Sequence, residues 1–306
     1  MKVLIATEKP FAPVAVKGIQ EILEKAGLEC ALLEKYTEKS QLLEAVSDAT
    51  ALIVRSDKVD AEVLKASPNL KIVVRAGAGY DNVDLEAATA QGVVVMNTPG
   101  QNSNAVAELA VGMLLFAVRN QFDGTSGSEL KGKTIGLMAF GAVAQCLARI
   151  AEGFGMKVKG YSPTGNPQKI AEAGYEVCDT PQALFSTCDI VSLHIPSTPQ
   201  TRQSIGYDLI SVMKPKAILV NTARKDIIDE EGLLKAMAEK EGLRYVSDLK
   251  MDQHEQAVQL LGKRYFATAK KMGAQTSEAN VNAGLAAAEQ IVDFLQNGNC
   301  KYQVNK

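Results

Sequence analysis

Short β-branched runs recur along this chain at intervals filled by segments of helical period, and this alternation constrains the fold more than any other feature. Runs with strand character are Val3–Ala6, Ala51–Arg55, Lys71–Arg75, Val93–Met96, Thr134–Phe140, Lys157–Tyr161, Ile190–Ile195, Ala217–Asn221, Tyr245–Asp248 and Tyr265–Thr268. Between them lie helical segments such as Val14–Lys25, Leu85–Ala90, Ala142–Glu152 and Leu233–Ala238. Strands joined through helices run parallel, because the crossover carries the chain back to the same sheet end, and right-handed crossovers cover both faces. The expected class is α/β with parallel sheets.

Ten parallel strands are many for one twisted sheet, so two doubly wound domains are expected in the 306 residues. A polar stretch, Gln121-Phe122-Asp123-Gly124-Thr125-Ser126-Gly127-Ser128, follows the long helical segment from Ser103. On residue character alone the second domain begins after it, at the strand from Thr134. The last helix, from about Ser277 to Leu295, could return onto the first domain; periodicity leaves this open.

Charge and composition exclude several function classes. The net charge is −2 and the lysines are scattered, which removes the basic stripe that nucleic acid requires. Tryptophan is absent and aromatics are 5%, leaving little for base stacking. No apolar run approaches the roughly eighteen residues of a membrane span, and the apolar run near Met1 is too short for a signal peptide. A cytoplasmic protein is expected. Cys30, Cys146, Cys178, Cys188 and Cys300 are odd in number with no C-x-x-C pair, so free thiols are expected and no metal site.

The strand Thr134–Phe140 runs into Ala139-Phe140-Gly141-Ala142-Val143-Ala144-Gln145 and a helix, where a dinucleotide fold places its glycine-rich turn. Of the three glycines only Gly141 is present; Ala144 is an accepted third residue, while Ala139 puts a methyl on the tight turn. Phe140, Gly141, Ala142 and Val143 are the candidate cofactor contacts. About twenty residues on, where a carboxylate normally holds the adenosine ribose, the chain has Tyr161-Ser162-Pro163. Ser162 is the candidate there, and it is a weaker partner than a charged acceptor. No arginine follows to take the extra phosphate of NADP, so NAD is the expected cofactor and NADP stays open.

Three segments carry a more specific signal: Val73-Val74-Arg75-Ala76-Gly77-Ala78-Gly79-Tyr80-Asp81-Asn82-Val83-Asp84, Met96-Asn97-Thr98-Pro99-Gly100-Gln101-Asn102-Ser103, and Val220-Asn221-Thr222-Ala223-Arg224. In order and spacing they resemble the D-2-hydroxyacid dehydrogenases over essentially the whole chain. The resemblance implies two doubly wound, Rossmann-like domains with a cleft between them. The substrate domain would be 1–98 plus 277–306, and the dinucleotide domain 99–276. Nearest within the family is the branch that interconverts 3-phosphoglycerate and 3-phosphohydroxypyruvate, which implies a phosphorylated 2-hydroxyacid substrate. It further implies a homodimer built around the helix at Ser103–Arg119; with Lys306 soon after the last helix, the serine-binding domain that some relatives append is not expected.

Position by position, the resemblance makes Arg224 the catalytic arginine and the Gly77-Ala78-Gly79 turn a carboxylate cradle. Arg55 and Lys58 match phosphate contacts, and Asn104, His194 and Asp248 match positions near the cofactor. The family's acid/base histidine is absent. At its place stands Thr268-Ala269-Lys270-Lys271-Met272-Gly273, as in a short subclass that uses lysine. Lys271 is the acid/base by count, with Lys270 the alternative, and burial beside Arg224 is expected to favour its neutral form. Gln253 replaces the glutamate that steers the histidine. With Ala139, Ser162 and Gln253 all departing from the pattern, a non-catalytic sensor or scaffold is the rival reading.

Overall fold

The structure is a computed structural model that describes residues 1–305. Its strands are β1 (Lys2–Thr7), β2 (Glu29–Glu34), β3 (Ala51–Val54), β4 (Ile72–Arg75), β5 (Val94–Asn97), β6 (Thr134–Met138), β7 (Lys157–Tyr161), β8 (Glu176–Val177), β9 (Ile190–Leu193), β10 (Ile218–Asn221), β11 (Arg244–Ser247) and β12 (Tyr265–Ala267). The helices are α1 (Pro13–Lys25), α2 (Lys39–Val46), α3 (Ala61–Lys65), α4 (Leu85–Ala90), α5 (Ser103–Val118), α6 (Ala142–Gly153), α7 (Gln168–Glu172), α8 (Pro181–Thr187), α9 (Tyr207–Ile210), α10 (Glu230–Glu239), α11 (His254–Leu261) and α12 (Ser277–Asn297).

Two parallel sheets form, ordered β2-β1-β3-β4-β5 and β12-β11-β10-β9-β6-β7-β8. The α/β class with two doubly wound sheets is therefore as expected. Two strands escape the sequence reading, β2 and β8, and both lie at sheet edges. Edge strands are half solvated: β2 reads Glu-Cys-Ala-Leu-Leu-Glu with no fully buried residue, and its apolar run holds no β-branched side chain that would mark it as a strand.

The chain divides into two compact units, Met1–Asn102 with Gln275–Lys306, and Ser103–Ala274. The Gly/Ser stretch at 121–128 is not the boundary that residue character suggests. The reason is α5, which buries Ala107, Ala110, Val111 and Leu114 in one core with Leu137, Val220 and Val246 of the second sheet and Ala144 and Leu147 of α6. Each fully buried Leu or Val contributes about 1.5–3 kcal/mol, so α5 is held by its apolar faces to the sheet that follows it in sequence. In the first unit α12 places Ala283, Ala287, Ala288 and Ile291 against Ile5, Ile19 and Leu23. The end of the chain covers the β5 edge: Val304 N donates to Val95 O at 2.8 Å, and Asn305 Oδ1 accepts from Val95 N at 2.7 Å.

Because all strands in a sheet are parallel, every loop following a strand emerges at the same sheet edge. In the second sheet the order reverses at β6, with β7 on one side and β9 on the other. That switch point opens a crevice at the carboxyl ends of the strands, the place where such sheets bind ligands.

Candidate active site

The cofactor loop follows β6. Ala139 adopts φ 75°, the left-handed region where a methyl costs about 1 kcal/mol relative to glycine. Gly141 is the N-cap of α6, and a Cβ built on it would meet nothing within 4 Å, so the approach is open. No side chain caps α6, which leaves its first backbone amides and the positive end of its dipole uncovered. Ala142 is exposed, Val143 half-buried, and Phe140 is packed edge-on to Tyr175 at 5.8 Å. After β7, the Ser162 hydroxyl accepts from Asn166 N at 3.1 Å, closing a turn. These groups fit a dinucleotide pyrophosphate, with a neutral partner where the ribose would lie.

His194 follows β9, its amide donating to Met138 O at 3.0 Å across the switch point. The ring is half-buried, but Nε2 is sealed from solvent and has no hydrogen-bond partner. Burial pushes its pKa down to about 4, so the imidazole is neutral near pH 7. Leu193 pairs in register with Asn221, so His194 stands beside Thr222, whose hydroxyl is also buried and unpartnered.

Arg224 follows β10, and Asn221 shapes its turn. The Asn221 amide donates to Arg224 O at 2.9 Å while its carbonyl accepts from Ala223 N at 3.0 Å. The guanidinium is half-buried and donates to Ala223 O at 2.9 Å, using one of its five hydrogens. Asn221 is a site residue that sequence reading passes over, although a buried asparagine at a strand end was there to be noticed.

Asp248 follows β11 and is 1% exposed. Its Oδ1 accepts from Thr268 Oγ1 at 2.9 Å and from Met272 N at 2.9 Å; Oδ2 accepts from Gly273 N at 2.7 Å. The loop after β12, with Lys270 and Lys271, is therefore tied at both ends to one carboxylate. Both lysines are exposed, so the burial expected to favour neutral Lys271 is absent. The backbone amides of Asp252 and Gln253 donate to Glu230, which fixes the start of α11. Asn104, in the first turn of α5, is exposed and donates to Glu108 Oε1 at 2.6 Å. The second unit thus gathers the 139–143 loop, His194, Arg224, Asp248 and the lysine loop along one edge of one sheet.

In the first unit, Gly77 adopts φ 149°, and a Cβ there would lie 1.5 Å from Arg75 Nη1, so only glycine fits. The Gly77 amide donates to Arg75 O at 2.9 Å, which leaves the amides of Ala78 and Gly79 as the turn's free donors. Asn97 Nδ2 braces the turn through Ala78 O at 2.6 Å. The half-buried Arg55 donates to Lys9 O at 3.0 Å, Pro10 O at 3.1 Å and Asn280 Oδ1 at 2.5 Å, and lies over the Phe11 ring. Lys58 is exposed, 3.9 Å from Asp60. Among the described residues, no group of three or more His, Cys, Asp or Glu side chains could hold a metal, all five cysteines are free, and no helix is long and apolar enough to cross a membrane.

Residues 5–305 match the profile of the D-isomer specific 2-hydroxyacid dehydrogenase catalytic domain. A D-3-phosphoglycerate dehydrogenase of Methanocaldococcus jannaschii is 37% identical over 96% of this chain, which spans 58% of that relative's length. A hydroxypyruvate reductase of Thermotoga maritima is 35% identical over 92% of this chain and 96% of its own. Among solved structures, NAD+-bound 3-phosphoglycerate dehydrogenase of Entamoeba histolytica superposes with a TM-score of 0.86. It is 49% identical and covers 100% of this chain and 99% of its own.

Proposed function

The chain belongs to the D-isomer specific 2-hydroxyacid dehydrogenases, and from that premise we propose that it is an NAD-linked oxidoreductase that interconverts 3-phosphoglycerate and 3-phosphohydroxypyruvate. The observation that carries this reading is the assembly of an open, uncapped α6 N-terminus with Arg224 and a lysine loop along the carboxyl edge of one sheet.

Phe140, Gly141, Ala142 and Val143 hold the cofactor pyrophosphate through backbone amides, and Ser162 lies toward the ribose. The nicotinamide supplies the hydride acceptor or donor. Arg224 grips the substrate carboxylate with a planar, permanently charged fork and polarises the reacting oxygen. Lys271, with Lys270 as the alternative, gives a proton to the keto oxygen on reduction and takes it from the hydroxyl on oxidation. His194 is neutral and sealed, which supports a cofactor-side role and not proton transfer. In the first unit the amides of Ala78 and Gly79 are the proposed carboxylate cradle. The phosphate assignment rests on Lys58 and on Arg55, whose three side-chain hydrogen bonds go to neutral acceptors, with the Asp57 carboxylate within electrostatic reach. A cytoplasmic location and a homodimer on α5 complete the proposal.

Similarity to a hydroxypyruvate reductase favours a second substrate, unphosphorylated hydroxypyruvate. The test is a steady-state panel of 3-phosphoglycerate, D-glycerate and glycolate against NAD+ and NADP+, with NADH and NADPH titrated by calorimetry. The proposal expects the highest kcat/KM with 3-phosphoglycerate and NAD+. Preference for D-glycerate transfers the assignment to the second substrate, and absence of binding by either reduced cofactor supports a scaffold.

A further inference from the structure

The second unit holds a cavity of about 800 Å3 that none of these residues uses. Its floor includes Ile190, Ile218 and Arg244, the first residues of β9, β10 and β11. It therefore opens at the amino edge of the sheet, opposite the edge that carries Gly141, Arg224 and Lys271. The volume lies within the range of small-molecule pockets.

The lining is unbalanced in charge. Lys133, Lys214, Lys216, Arg244 and Arg264 line the cavity, opposed by Asp189 and Glu241. Asp189 is already matched: it pairs with Lys214 at 2.8 Å and accepts from Thr134 N at 2.8 Å. Lys133 also lies within electrostatic reach of Asp189, while Lys216, Arg244 and Arg264 form no ion pair among the described residues, and Glu241 is the one remaining acidic residue in the lining. Both guanidiniums are fixed by neutral acceptors. Arg244 donates to Ala117 O and to Asn120 Oδ1 at 3.1 Å; Arg264 donates to Met237 O at 2.6 Å and Lys240 O at 3.3 Å. Carbonyls orient these forks without cancelling their charge, and part of each five-donor set stays unspent.

The walls show independent signs of construction. Asn120 of the lining and the Gln121 and Phe122 that follow it take φ values of 51°, 60° and 58°, three consecutive non-glycine residues in the left-handed region. Such residues cost roughly 1–2 kcal/mol each and persist where the surroundings impose them. Here the turn delivers the Asn120 side chain, which accepts from Arg244 and donates to Thr125 Oγ1 at 2.9 Å and Ser126 O at 3.0 Å. Two wall glycines sit at closest backbone approach: a Cβ on Gly127 would lie 2.4 Å from Val118 O, and one on Gly242 2.5 Å from Pro215 O.

We propose that this cavity is a second binding site, independent of the dehydrogenase site, for a small polyanion carrying at least two phosphate or carboxylate groups. One anionic group would meet the oriented Arg244 and Arg264 forks, and the other the mobile ammonium groups of Lys133 and Lys216.

The test is calorimetric titration of the full chain at fixed ionic strength with inorganic pyrophosphate and, separately, citrate. Saturable submillimolar binding of at least one probe is expected, and the preferred probe identifies the anion as phosphate or carboxylate. Lys216→Glu, at an exposed lysine, and Lys133→Glu, at a half-buried one, should each weaken it by about tenfold or more, equivalent to about 1.4 kcal/mol, with unchanged circular dichroism as the control for folding. Absence of saturable heat with both probes overturns the proposal. Binding that survives both substitutions unchanged also overturns it, because such an anion sits elsewhere, for pyrophosphate at the α6 N-terminus.

Discussion

Replacing Asp248 by asparagine should release the lysine loop without unfolding the sheet beneath it. The native carboxylate accepts three hydrogen bonds, from Thr268 Oγ1, Met272 N and Gly273 N, at a site 1% exposed. Asparagine keeps the shape but has one oxygen. If that oxygen takes the Oδ1 position it retains Thr268 and Met272, and its NH2 then faces the Gly273 amide across 2.7 Å, donor against donor. The opposite orientation keeps the Gly273 bond but sets the NH2 against the Met272 amide and removes the acceptor of Thr268 Oγ1. The smaller loss is one charge-assisted hydrogen bond plus an unsatisfied buried amide, together about 2–3 kcal/mol of local stability. Opening of the 268–273 loop should become about 30- to 100-fold more frequent. Hydrogen exchange followed by mass spectrometry on a peptide covering Met272 and Gly273 measures this directly, with β10 and β11 amides as the control for global stability. A matching fall in kcat/KM, with NADH affinity retained, would tie loop position to proton transfer. Unchanged exchange at Met272 and Gly273 in a folded variant would refute the reasoning.

Three further outcomes are expected. Arg224→Lys should keep the fold and lower kcat/KM by about a hundredfold or more, because a point charge cannot replace the bidentate fork; near-normal activity would remove Arg224 from the site. Ala139→Gly with Ser162→Asp should tighten NADH about tenfold or more, since the first relieves a left-handed alanine at φ 75° and the second restores a charged ribose acceptor. Unchanged affinity by calorimetry would mean that the loop holds the cofactor differently. His194, held at about 4 against an unfolded value near 6.5, contributes stability that is complete above about pH 6.5 and lost as pH falls toward 4. The linked maximum is about 3 kcal/mol, so urea unfolding of His194→Gln should show a shallower loss than the parent between pH 7 and 4.5; parallel slopes would count against it.

The sequence by itself determined the α/β class and the core strands, because a strand buried on both faces reads as a near-continuous apolar run, as in Ala51–Val54 or Ile218-Leu219-Val220. It also showed the loop around Gly141 and the position of Arg224, since both lie immediately after such strands and local motif and strand end coincide. Edge strands β2 and β8 were invisible because β2 has no β-branched residue in its apolar run and β8 is only two residues long. Residue character could not decide where α5 belongs, although the family resemblance put it in the dinucleotide domain: a helix apolar on most of its surface fits either neighbour until its residues meet Leu137 and Val246. Tertiary structure alone brought Asp248 to the amides of Met272 and Gly273, a contact across more than twenty residues that no local spacing encodes. The exposure of Lys270 and Lys271 was equally out of reach, because burial is a property of what surrounds a loop and not of its sequence. The same holds for the cationic cavity, whose Lys133, Lys216, Arg244 and Arg264 are scattered in sequence and become neighbours only where parallel strands start side by side.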